Sequence, residues 1–93
     1  MLDWIANWYI SQCDGRWEHF YGIKIDTLDN SGWGVEIDLS DTDLIDKPFT
    51  NIEKDISDSD WMFCRINNNK FEGSGDTKKL NEILEVFKTW VES

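Results

Sequence analysis

The chain has 93 residues, the length of one domain, and we expect a single domain over 1–93. Six Trp, five Phe and two Tyr can each bury about 150–250 Å², so the core requires neither disulfides nor a structural metal. The net charge of −10 repels nucleic acid and anionic membrane and attracts basic partners.

The first twelve residues, "MLDWIANWYISQ", have no basic head and carry Asp3, unlike a secretory signal. Leu2, Ile5, Ala6 and Tyr9 recur at helical spacing with Trp4 and Trp8 on the flank, and Gly15 is a helix stop. These signals predict a helix over residues 2–13. "SQCDGRWEHFYG" then reads as helix stop, tight turn and strand entry, with a hydrogen bond between Glu18 and His19 expected at the corner.

Tyr21, Ile23 and Ile25 share one face of the first predicted strand, and Lys24 and Asp26 the other. After the turn "DNSG", Trp33, Val35, Ile37 and Leu39 alternate with Glu36 and Asp38. Together these runs predict a hairpin with one wet, acidic face. "SDTDLIDKPFTN" reads as a loop and "IEKDI" as a short strand. "DSDWMFCRI" sets Met62, Cys64 and Ile66 against Trp61 and Phe63, predicting a strand buried on both faces, and "NNN" turns it back into "KFEGSG". Asp76 reads as the N-cap of a final helix whose stripe is Leu80, Ile83, Leu84, Phe87 and Val91. The sum is an α+β fold: an antiparallel sheet of about four to five strands with an N-terminal and a C-terminal helix packed on it.

The charge is concentrated. Residues 26–60 hold eleven Asp/Glu against Lys47 and Lys54, a net of −9. Glu36, Asp38, Asp41, Asp43 and Asp46 are five carboxylates within eleven residues. These five are the candidate partner-binding residues, and their expected partner is a basic protein.

Three chemical readings compete with a binding role. Cys13 and His19, with Glu18, have the composition of a thiol nucleophile and base. Asp14 beside the thiol in an acidic chain opposes the electropositive setting that activates cysteine. Cys13, His19 and Cys64 lack the paired spacing of a zinc site. "SDTDLID" and "DISDSD" hold closely spaced carboxylates but do not follow the calcium-loop pattern. We therefore expect no catalytic residues, no metal and no cofactor, and the two cysteines are expected as free thiols in the cytoplasm.

The block Trp8, Tyr9, Gln12, Cys13, Asp14, Gly15, Trp17, Glu18, His19, Gly22, followed by Asp29, Asn30, Gly32 and Trp33, resembles the bacterial immunity protein 53 family. "KPF", "DW", "KFEG" and the final helix extend the likeness over nearly the whole chain. The resemblance implies a cytoplasmic member of a polymorphic toxin system. Such a protein protects its own cell by binding and neutralising a cognate toxin, and has no enzymatic activity. Joined to the acidic middle, it suggests a basic toxin such as a nuclease, whose phosphate-binding surface carries Lys and Arg. The alternatives are an acidic, nucleic-acid-mimicking regulator of a basic host protein and a small Cys/His thiol enzyme. No direct contact with nucleic acid or membrane is expected.

Overall fold

The computed structural model describes residues 1–93. The chain runs α1 (Leu2–Gln12), α2 (Trp17–Phe20), β1 (Ile23–Leu28), β2 (Gly32–Asp38), β3 (Ile52–Ser57), β4 (Asp60–Asn67), β5 (Lys70–Asp76) and α3 (Leu80–Glu92). Five antiparallel strands form one sheet in the order β1-β2-β5-β4-β3. The α+β architecture agrees with the sequence reading, with one addition: the corner before β1 is a short helix, α2.

Two local units build the sheet. The β1–β2 hairpin pairs Ile23 with Ile37 and Ile25 with Val35. The β3–β4–β5 meander turns between β4 and β5 on Asn68 and Asn69, both at positive φ (53° and 63°). Asparagine tolerates that conformation, and such two-residue turns match the twist of the strands they join. Pairing of β5 with β2, Val35 opposite Gly73 and Ile37 opposite Phe71, joins the units. β1 and β3 are left as edges. The β3 edge carries Glu53, Lys54 and Asp55, charges that discourage pairing with another chain.

The register divides the sheet into two unlike faces. Val35, Ile37, Met62, Cys64 and Phe71 are buried on one, beneath the helices. α3 contributes Ile83, Leu84, Phe87 and Trp90, and α1 contributes Ile5 and Trp8. The helix lies close to β5: a Cβ on Gly73 would collide with Ile83, and one on Gly75 would stand 2.6 Å from Lys79 Cβ. Aromatic rings fill the space between the layers. Phe87 meets Trp8 edge-on at 4.9 Å and Phe71 at 5.2 Å. Phe49, from the loop after β2, stands edge-on to Trp90 at 5.4 Å and to Phe71 at 5.8 Å.

The α1 stripe is rotated from the expected one. Ile5 and Trp8 face the core, whereas Leu2 is 73% exposed and Ala6 also lies outward. Two large indoles bury more apolar surface than Leu2 and Ala6, so the Trp side of the helix wins the core position. α1 ends at Gln12, and the chain turns at Gly15, whose φ of +90° suits glycine.

β4 also departs from the predicted double burial. It is buried on one face only; Trp61 is half-buried and Phe63 is 38% exposed on the other. Both long helices lie on the Met62–Cys64 side, and no layer covers the opposite face. Asp76 is likewise not the N-cap of α3. It is the last residue of β5, and Lys79 occupies the cap position without a side-chain cap bond.

The segment 39–51 is more ordered than a bare linker. Leu39 and Leu44 are buried in the core, and Thr42 Oγ1 donates to Leu39 O (2.7 Å) while accepting from Leu44 N–H (3.2 Å). Lys47 Nζ donates to Trp90 O (2.7 Å) and Ser93 O (2.9 Å), satisfying carbonyls that a helix end leaves free. Trp90 Nε1 donates back to Pro48 O (2.8 Å).

Candidate functional site

The corner "CDGRWEH" holds itself together by backbone capping. Asp14 Oδ1 accepts the N–H groups of Arg16 and Trp17, both at 2.9 Å. Glu18 reaches back to accept those of Asp14 (3.0 Å) and Gly15 (2.8 Å). This reciprocal arrangement works as a capping box does. The N–H donors hold both carboxyls below the usual carboxylate range. The expected Glu18–His19 hydrogen bond is absent, because both Glu18 oxygens are aimed at backbone. Cys13 Sγ donates to Tyr9 O (3.2 Å), and His19 is exposed. The thiol–imidazole contact required of a nucleophile and its base is not made. Cys64 is the buried thiol, pushed up to about 11 by burial, with Glu82 adding to the effect.

A second polar cluster ties β5, β4 and α3 together. Asp76 is 3% exposed. Its Oδ2 accepts from Lys79 Nζ (2.7 Å) and Trp61 N–H (3.0 Å), and its Oδ1 from Lys78 N–H (2.9 Å). Lys79 Nζ also reaches Asp60 Oδ1 at 2.9 Å. The ammonium of Lys79 holds Asp76 down at about 2 and lowers Asp60, while the two carboxylates raise Lys79. Every member is paired, which identifies this cluster as a clasp within the fold. Its residues gave no more sequence signal than a helix start.

The five acidic candidates fall into two groups. Glu36 and Asp38 alternate with buried Val35 and Ile37 and so leave the sheet on its uncovered face. Glu36 is 3.6 Å from Lys70, and Asp38 Oδ1 accepts Ser40 N–H at 2.9 Å, starting the loop. Both line a shallow hollow of about 370 Å³ with exposed Phe20. Asp41, Asp43 and Asp46 are exposed in the segment that runs to the C-terminal end of α3, and none is in an ion pair. Lys47, the one base of that segment, is directed at the α3 carbonyls. Nowhere do three or more His, Cys, Asp or Glu side chains converge as metal ligands would.

Trp61, one of two tryptophans that the sequence leaves open as an exposed binding anchor, is half-buried on the uncovered face beside Phe63. On the uncovered face the rings of Trp61 and Phe63 lie 6.0 Å apart. Trp61 reaches across to Gly32, and Leu28 lies over Gly34. The alternation of Trp61 and Phe63 with Met62 and Cys64 was visible. Which side would remain uncovered depended on where the helices docked.

A five-stranded antiparallel sheet with both long helices on one side and the other side uncovered defines a small α+β protein. The family model for immunity protein 53 matches residues 2–92, and the chain belongs to that family. No curated protein and no solved structure matches it. Its role is that of an immunity protein, and membership implies a toxin as the partner. No helix is long and apolar enough to cross a membrane.

Proposed function

We infer that this protein acts in the cytoplasm as a single domain that neutralises its cognate toxin by stoichiometric, largely electrostatic association. The toxin surface it meets is basic, as a nuclease's phosphate-binding surface would be. Glu36, Asp38, Asp41, Asp43 and Asp46 are the proposed electrostatic contacts. The observation that carries this reading is the disposition of the segment after β2: three exposed carboxylates without an ion-pair partner, and its only base turned inward to cap α3. The fold has no need of that charge, whereas an encounter with a cation-rich enzyme does.

The test is co-expression with the protein encoded beside it. A one-to-one complex that survives purification, together with rescue of cells from that protein's toxicity, is the expected result. A stable complex with a basic host protein, and none with the neighbouring gene product, would instead favour the nucleic-acid-mimicking regulator.

A further inference from the structure

The uncovered sheet face around Trp61 and Phe63 has the composition of an interface before a partner is present. Leu28, Trp61 and Phe63 form an apolar patch that no element of the chain covers. Interfaces concentrate aromatic side chains at such centres and polar groups at the rim. The rim here is predominantly acidic, with Arg65 beside Phe63 and Lys24 on β1 as the bases nearest to it. Asp26, Glu53, Asp55 and Asp58 surround the patch, and none of them is in an ion pair. The bases on the same face are mostly occupied: Arg65 with Glu72 at 2.9 Å, and Lys70 with Glu36 at 3.6 Å. A hollow of about 390 Å³ beside the rings is lined by Asp55, Asp58, Trp61 and Phe63 and contains no basic side chain.

We propose that this hollow is the anchor site for an arginine of the partner, presented on a basic segment that lies across the uncovered face. The inference rests on the immunity reading and adds a second contact area, apart from the loop carrying Asp41, Asp43 and Asp46. A guanidinium stacks on aromatic faces and forms forked hydrogen bonds to carboxylates. The hollow offers both kinds of group. A second copy of this chain is a poor occupant, because a symmetric contact would set the acidic rim against itself. Nucleic acid and anionic lipid are repelled by the same rim.

Two experiments on the full chain separate this site from the function it rests on. In the first, hexa-arginine is titrated into the ¹⁵N-labelled protein. The Trp61 indole N–H should show the largest saturable shift, and Phe63→Ala or Asp55→Asn/Asp58→Asn should weaken binding about tenfold, the loss expected of an anchor. Phe63 is partly exposed, and the Asn replacements keep side-chain shape; unchanged far-ultraviolet dichroism certifies the fold. Largest shifts at Asp41–Asp46, or no saturable shift, overturn the site. In the second, the same variants are measured against the neighbouring gene product. Dissociation should accelerate about tenfold for Phe63→Ala. If wild type binds and both variants bind equally well, the face is not the dock. If wild type fails to bind that protein while hexa-arginine still maps to Trp61, the immunity reading with that partner fails and the arginine site stands.

Discussion

Phe87 lies at the junction of four rings, facing Trp4, Trp8, Phe71 and Trp90 at centroid distances of 6.1, 4.9, 5.2 and 6.1 Å. Phe87→Ala should cost about 3–5 kcal/mol, read from the urea midpoint, because so many neighbours cannot all collapse into the space. That residue was legible: it sits in the helical stripe, and a large ring at its centre has to be buried. Asp76 was legible only as an acid near a helix start. Its actual partners, Lys79 and the Trp61 amide, come from two other elements. Its carboxyl is held at about 2 in the folded protein, against about 3.9 in an unfolded chain. The stability it contributes is therefore complete above about pH 4 to 5 and is lost as pH falls towards 2. Asp76→Asn should be less stable than wild type at neutral pH. The gap between their thermal midpoints should close on acidification over that window, as a pH series of melting curves would show.

At the scale of elements, long periodic segments were readable and short ones were not. α3 runs thirteen residues and shows its stripe plainly. α2 has four residues, too few for a helical period to emerge, and it is held because Asp14 accepts the amides of Arg16 and Trp17 at its start while Glu18 accepts those of Asp14 and Gly15 in the turn before it. The segment 39–51 reads as a polar linker because its ordering contacts are made with the distant α3. Lys47 is the sharpest case, since a lone lysine in an acidic stretch gives no hint that its ammonium ends a helix. Lys47→Met keeps the aliphatic stem and removes the donor. It should destabilise the protein by about 1–2 kcal/mol, measured by chemical denaturation, with faster amide exchange confined to the last turn of α3.

At the scale of the whole molecule, the acidic excess after β2 lies outside the core and outside the Asp76–Lys79 clasp. Asp41→Asn, Asp43→Asn and Asp46→Asn together should leave the fold intact, because all three are exposed and outside ion pairs. Asparagine is the replacement of choice at position 41, where φ is +61°. Association with the toxin should slow by about tenfold or more at low salt. The difference should fade as salt rises and the Debye length shrinks to ~8 Å and below. Stopped-flow rates at several ionic strengths check this, and an unchanged rate would mean that these charges only solubilise the chain.

What the sequence determined by itself was local: the alternation that makes Glu36 and Asp38 face away from Val35 and Ile37, the stripe of α3, the turn glycine at 15, and the family signature from Trp8 to Trp33. Each of these rests on neighbours within a few residues, where the period of the backbone decides which way a side chain points. The tertiary structure alone decided that β5 would pair with β2, that both long helices would lie on one face, and that Trp61 and Phe63 would be left on the other. It also tied Lys47 to the end of α3 and Lys79 to Asp76 and Asp60, and left Asp41, Asp43 and Asp46 to solvent. Those outcomes follow from competition between distant segments for a single layer of buried surface, which local spacing does not record.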